Sequence, residues 1–192
     1  MPRFAVMLLA WLALFAAGNS SAQSTQPTKK LIEFGWDEPD TAYLRAHIAE
    51  MEKTPFDGTV FHLPGDFLWQ SWGKRSFTRA ELQKAIDDLK ATPLKRFTHN
   101  FLRFNVTPGD VDWFDDFSAV LNNAKLAAAI AKQGRCAGVL FDIEQYNTHL
   151  FEYAKARDAR SKSFDDYAKR ARLRGREPAS RTARRICSSH RA

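Results

Sequence analysis

The sequence has few of the residues that build metal clusters, disulfide frameworks or phosphate-binding loops. Two cysteines, Cys136 and Cys187, occur in 192 residues, and their spacing is not that of a zinc site. No glycine-rich phosphate loop, G-x-S-x-G elbow or H-E-x-x-H motif occurs. These absences argue against nucleotide binding, serine hydrolase chemistry and zinc protease chemistry, and we predict no cofactor and no metal. Cys136 directly precedes an apolar strand, so we expect a buried free thiol there.

Long apolar runs are also missing, apart from one at the start of the chain. Residues 4–17 carry no charge, Arg3 precedes them, and residues 18–22 are small or polar. This is the anatomy of a cleaved signal peptide, and the run is shorter than the about 20 residues that a membrane span needs. We predict a signal peptide over 1–22, a polar linker over 23–30, and a secreted or periplasmic protein without a stable membrane anchor after cleavage.

The net charge of +7 comes from one end of the chain. Residues 155–192 hold 13 Lys and Arg against 4 Asp and Glu, whereas residues 1–154 hold 16 against 18. Basic ends can bind nucleic acid, but the export signal argues against that partner. The pattern of apolar residues stops near Gly175, which predicts a basic irregular tail over 176–192. The tail is either natural or the result of truncation or a reading-frame change near Glu177.

Between these ends, strand patterns alternate with helix patterns four times. Apolar strand segments are expected at 31–36, 59–63, 97–106 and 138–144, and helices at 40–51, 76–89, 112–133 and 163–174. Such alternation predicts an α/β domain with a parallel sheet over 31–175. Two architectures fit: the N-terminal half of a (β/α)8 barrel of the TIM type, and a small doubly wound parallel sheet.

Candidate site residues follow from the rule that barrel enzymes place their chemistry at the carboxyl ends of the strands. Asp142 and Glu144 are expected on one face at the end of the fourth strand, where mutual repulsion would raise one pKa. A carboxyl group of that kind can serve as a general acid on a glycosidic oxygen. The structural alternative is that Asp142 caps the next segment and Glu144 pairs with an arginine such as Arg103.

Other polar and aromatic side chains are expected at the same edge of the sheet. We predict substrate-binding roles for Trp36, Asp37, His62, Asn100, Arg103 and Tyr146. Trp69 and Trp72 could stack on sugars or fill the core. A divalent metal held by His62, His99, Asp37, Asp142 and Glu144 is a rival reading without a supporting motif.

Three segments carry a resemblance to a known family. LIEFGWDEPDTAYLRAHIAEMEKTPFDGTVFH, FTHNFLRFNV and GVLFDIEQY together resemble poorly characterised secreted bacterial proteins of the glycoside-hydrolase-like (β/α)8-barrel type, over residues 30–175. The Asp-x-Glu of the fourth strand also resembles the end of the chitinase and endo-glucosaminidase motif. That resemblance implies that Glu144 is the acid and that Asp142 positions a substrate group. Leu140 and Gly138 stand where the earlier aspartates of that motif are expected.

The expected function is therefore that of an exported glycoside-hydrolase-like domain acting on extracytoplasmic glycans by carboxylate acid/base chemistry. Such a domain is inactive if the rest of the barrel is needed to complete its cleft. The alternative is a barrel domain that binds glycans, or is purely structural, without catalysis. A half barrel has two uncovered strand edges, which favours self-association.

Overall fold

The computed structural model describes residues 29–146 and 148–187, with side chains as far as Pro178. The predicted signal peptide over 1–22, most of the predicted linker, the side chain of Cys187 and residues 188–192 lie outside this range. Cys136 is a buried free thiol, as predicted. Burial raises the pKa of that thiol to about 12, which keeps it protonated.

The fold is α/β with a four-stranded, all-parallel sheet, which confirms the predicted class. The strands are β1 (Ile32–Glu33), β2 (Gly58–Phe61), β3 (Phe101–Asn105) and β4 (Gly138–Asp142). The helices are α1 (Thr41–Met51), α2 (Asp66–Gln70), α3 (Gln83–Ala91), α4 (Ser118–Gln133) and α5 (Phe164–Cys187), with a 3-10 turn at Tyr153–Lys155. The spatial order of the strands is β1-β2-β3-β4, the same as their order in the chain.

The two faces of the sheet differ in how they are covered. Leu102 and Phe104 of β3 are buried in one apolar core with residues of the helices, whereas Phe101 and Arg103, which point the other way, are half-buried. The major helices form a row in which α1 packs on α3, α3 on α4, and α4 on α5. Helices therefore cover one face of the sheet, and the other face carries the polar side chains of the strand ends.

Local sequence signals account for where the first helix begins. Asp40 caps α1, because its Oδ1 accepts the backbone N–H of Tyr43 at 2.7 Å, and Leu44 and Ile48 bury the inner side of the helix. The predicted long loop over 64–76 contains the short helix α2, which the sequence pattern did not indicate.

The prediction of an irregular tail from residue 176 is wrong as far as Cys187. Helix α5 continues through Gly175 and Pro178 to Cys187. Arginine, alanine and glutamate have high helix propensity, so a helix can persist here without an apolar period. The first turns of α5 are anchored by Tyr167, whose hydroxyl donates to Asp112 Oδ2 at 3.0 Å.

A buried asparagine ties α4 to the loop that follows α2. The Oδ1 atom of Asn123 accepts the N–H of Phe77 at 2.9 Å, and its Nδ2 donates to the carbonyl oxygens of Ser71 (3.0 Å) and Arg75 (2.8 Å). Asn123 is fully buried. One side chain thus satisfies three backbone groups of a loop that has no regular structure of its own.

In the described range, the helices are all too short or too polar to cross a bilayer.

Candidate functional site

A cavity of about 530 Å³ opens at the carboxyl ends of the strands. The segments after β1, β2 and β4 contribute to its wall, together with the last residues of β3 and β4. The side chains and backbone that line it are those of Phe34, Gly35, Trp36, Glu38, His62, Leu68, Trp69, Arg103, Asn105, Asp142, Glu144 and Tyr146. Parallel strands bring their carboxyl ends to one edge, so residues far apart in the chain meet there.

Arg103 stands at the centre of the charged part of the cavity. Its Nε lies 2.8 Å from Glu38 Oε2, and its Nη1 donates to Asp142 Oδ2 at 3.4 Å. The side chains of all three residues are largely enclosed, with exposed fractions of 16% for Arg103, 2% for Glu38 and 10% for Asp142. The cation therefore links the loop after β1 to the end of β4.

The contact between Arg103 and Glu38 is close but badly aligned for a hydrogen bond. Neither Glu38 oxygen has a hydrogen-bond partner in the described part of the protein, and neither has Arg103 Nε. Burial raises the pKa of the Glu38 carboxyl; Arg103 opposes this rise, and the negative charges of Asp142 and Glu33 add to it. Glu38 is thus a carboxyl group that holds its proton longer than an exposed glutamate and has hydrogen-bonding capacity to spare.

The loop after β4 folds back on the strand end. The backbone N–H of Glu144 donates to Asp142 Oδ1 at 3.0 Å, and the hydroxyl of Tyr146 donates to Glu144 Oε2. The Glu144 side chain is exposed at the cavity. The hydrogen bond to Glu144 raises the pKa of Tyr146, so the phenol stays protonated as a donor. The sequence indicates Arg103 as a possible partner of Glu144. Arg103 pairs with Asp142 instead, because Glu144 lies beyond the end of the strand.

His62 follows β2 and has a defined orientation. Its ring Nδ1 lies 3.0 Å from the carbonyl oxygen of Leu63, which can only accept a hydrogen bond. Nδ1 therefore carries a proton, and in the neutral ring the free lone pair is on Nε2. His62 lines the cavity as predicted.

The aromatic wall of the cavity consists of exposed rings. Trp36 is 95% exposed, Trp69 51%, and Tyr146 and Phe34 57% each. Trp72 belongs to the core instead, where it contacts the rings of Phe104, Phe117 and Phe141. Rings of this size seldom stay exposed together unless the surface binds something.

Two of the predicted substrate-binding residues lie elsewhere. Asn100 precedes β3, at the opposite end of the strand, where it is buried: its Oδ1 accepts the N–H of Thr59 at 3.1 Å and its Nδ2 donates to the Phe97 carbonyl at 2.8 Å. That prediction is wrong, since both polar atoms of Asn100 hold backbone in place. Asp37 is exposed in the turn after β1 and does not line the cavity.

The carboxyl group that sequence reasoning missed is Glu38. It stands next to Asp37, outside any strand, so alternation of faces could not tell the two apart. The available signal was Arg103, a cation in the middle of an apolar strand that needs a buried counter-charge.

A convergent metal site is not formed by the residues that the structure describes, where no three His, Cys, Asp or Glu side chains group suitably. His99 is held away from the cavity, at the amino end of β3, where its Nδ1 lies 2.8 Å from Thr98 Oγ1. The rival metal reading, which required His99 and Asp37 at the cavity, therefore has no geometric support in this range.

Replacing Glu38 with glutamine is expected to change how stability depends on pH. The pKa of Glu38 is raised above 4.5 on folding, so the folded state binds this proton more tightly than the unfolded state. Its ionisation therefore costs stability as the pH rises from the unfolded value through the raised folded value. Urea unfolding of both proteins at several pH values should show the wild type losing stability relative to the glutamine variant over that window. Parallel pH profiles would contradict the assignment.

The cavity brings together residues from the ends of four successive strands, and we compared the chain with known proteins to see whether this arrangement occurs elsewhere. No family model, curated protein or solved structure matches this chain.

Proposed function

We propose that the four strand–helix units are part of an eight-stranded barrel and that their cavity binds an extracytoplasmic glycan, with Glu144 as general acid/base. The strand order favours the barrel, because a doubly wound sheet reverses its order at one point and β1 to β4 do not. The helices also lie on one face, as they do around a barrel. The sequence resemblance to glycoside-hydrolase-like barrels points the same way.

One observation carries the functional proposal: carboxylates and exposed aromatic rings share one cavity. Glu144 and Asp142 line it together with Trp36, Trp69 and Tyr146. Aromatic faces suit the apolar faces of sugar rings, and paired carboxylates are the usual machinery of glycoside hydrolysis.

The proposed roles follow from the contacts of each group. Glu144 is exposed at the cavity, where its carboxyl group is within reach of a bound glycan, as a general acid requires. Tyr146 and Asp142 orient Glu144 through its Oε2 and its backbone N–H. Arg103 fixes Asp142 and links it to Glu38, which lies enclosed behind the arginine.

The second candidate is glycan binding without turnover. The position of Glu38 favours it. Glu38 is the cavity glutamate whose pKa is raised, but it lies enclosed behind Arg103, whereas Glu144 is exposed. A general acid is usually the carboxyl that the protein itself keeps protonated.

Four further statements remain predictions from the sequence: export, the absence of a membrane anchor, the absence of a nucleic-acid partner, and self-association through the uncovered sheet edges.

The test compares Glu144→Gln with Glu50→Gln, an exposed glutamate of α1 that pairs with Lys53 and lies outside the cavity. We expect hydrolysis of neutral oligosaccharides, measured as new reducing ends, to fall by about 10²–10⁴-fold in the first variant only. Glycan binding, measured by calorimetry, should persist in both. Light scattering on the same samples should give a mass above that of a monomer.

The possible results separate the catalytic role of Glu144 from glycan binding and from self-association. Turnover that survives Glu144→Gln would remove Glu144 from catalysis. Binding without turnover by the wild-type chain would favour the second candidate. Failure to bind any oligosaccharide would exclude both, and a sharply melting monomer would contradict self-association.

A further inference from the structure

A second concave surface lies on α5, away from the strand ends. This basic groove has a volume of about 580 Å³ and shares no lining residue with the cavity at the carboxyl ends of the strands. Five cations line it around the ring of Phe114: Lys162, Lys169, Arg170, Arg172 and Arg176. The acidic side chain among its lining residues is Asp166.

Two of the cations are held in place. Lys162 Nζ lies 4.8 Å from the centre of the Phe114 ring and pairs with Asp158 Oδ2 at 2.5 Å. The guanidinium of Arg170 lies 5.9 Å from the same ring, and its Nε donates to the carbonyl of Trp113 at 3.2 Å. The floor of the groove is therefore an ordered, positively charged platform.

The other three cations form a stripe along the helix. Lys169, Arg172 and Arg176 are spaced three and four residues apart, so they share one side of α5 over about 10 Å. All three are exposed, and none forms an ion pair with a residue that the structure describes. Residues 1–28 and 179–192 contain no Asp or Glu. Those two segments therefore supply no acidic side chain that could neutralise the stripe. Within α5, Asp165 lies four residues before Lys169 on the same side of the helix, so one carboxylate accompanies the three cations.

Asp166 offsets only part of the charge, because it lies near Lys162 and Lys169 but is hydrogen-bonded to Ser163. Its Oδ2 accepts the N–H and the hydroxyl of Ser163 at 3.1 and 2.7 Å, and its own N–H donates back to Ser163 Oγ at 3.2 Å. This reciprocal pair caps the first turn of α5. The carboxylate is thus committed to the helix start, and the groove keeps an excess of positive charge.

From this arrangement we propose that the basic groove binds a linear acidic polysaccharide, at a site separate from the cavity. A row of unpaired cations suits a ligand whose negative charges repeat along a chain. A protein partner fits less well, because stable interfaces use roughly 20–30 residues on each side and this groove is lined by eight.

Membranes and nucleic acids fit less well for reasons of shape and stacking. As far as Pro178, where the side chains of α5 are described, its large exposed apolar residues are Phe164 and Leu173. They are nine residues apart and so lie on opposite sides of the helix, which gives this part of α5 no apolar face to insert into lipid. The Phe114 ring is already covered by Lys162, Arg170 and Tyr167, so it offers no platform for bases.

The test uses the purified chain and a triple variant, Lys169→Gln, Arg172→Gln and Arg176→Gln. The matched control removes three exposed cations outside the groove: Lys29→Gln, Lys90→Gln and Arg160→Gln. Binding to heparin, polygalacturonate and neutral dextran is measured by biolayer interferometry at rising salt concentration. We expect salt-sensitive binding to both acidic polymers, with a loss of about tenfold or more in the groove variant only. Any binding of dextran at the cavity should be the same in all three proteins.

Several results would overturn the proposal. Equal losses in the two triple variants would show that net charge alone drives binding. Equal or tighter binding to phosphatidylglycerol vesicles or to single-stranded DNA would assign the groove to another partner. Dextran binding that is lost in the groove variant would mean that the groove does not recognise charge. Because Glu144→Gln leaves the groove intact, loss of hydrolysis in that variant bears only on the cavity.

Discussion

Replacing Arg103 with methionine should lower the free energy of unfolding by about 3–5 kcal/mol. Methionine fills similar space, but it leaves the carboxylates of Glu38 and Asp142 in an enclosed site without their shared cation. An uncompensated buried charge costs more than the intact pair contributes, so the loss reflects desolvation as well as the missing contact. Equilibrium unfolding in urea at neutral pH measures it.

Two further variants show whether charge is the cause. Arg79→Met removes an exposed arginine whose Nη2 donates to Gln133 Oε1 at 2.9 Å, and it should change stability by less than about 1 kcal/mol. Adding Glu38→Gln and Asp142→Asn to Arg103→Met should restore part of the stability, because the unpaired charges are gone. No recovery in this triple variant would mean that Arg103 acts mainly through packing.

Replacing Asn123 with alanine is expected to cost about 3 kcal/mol, since it leaves three backbone groups of the loop after α2 without partners in a buried place. The neighbouring Asn122→Ala is the control. Asn122 is half-buried and donates to Phe77 O at 2.7 Å and Ser76 Oγ at 3.0 Å, so water can replace much of what is lost.

The two asparagine variants are compared by urea unfolding and by hydrogen exchange of the loop amides. We expect the amide of Phe77 to lose protection in Asn123→Ala. The same loop follows the helix that carries Trp69, so this variant should also weaken glycan binding if the proposed function holds. A cost below about 1 kcal/mol would contradict the view that Asn123 holds the loop.

Periodicity was sufficient to predict the sheet and most of the helices. The apolar spacing of Leu44 and Ile48, with Asp40 before them, predicts α1 correctly because burial and capping are local properties. Helix α5 beyond Gly175 could not be predicted from periodicity, because the sequence there is basic and has no apolar residues recurring at helical spacing.

The site was predicted in outline but not in its pairings. Strand ends indicated Asp142, Arg103 and His62 at one edge, and all three line the cavity. The error on Asn100 arose because a strand pattern does not say where pairing starts, and this residue precedes β3. The choice between Asp37 and Glu38 depends on how the turn after β1 packs against Arg103, which is a tertiary contact that no local pattern encodes.

The strand order also bears on how the chain assembles. Each strand pairs with the one before it in sequence, across a loop of between roughly 25 and 40 residues, so no pairing has to wait for a distant segment. The entropy of closing these loops differs little from one to the next. A polypeptide that is synthesised stepwise can therefore add one unit at a time to the growing edge, in the order of synthesis.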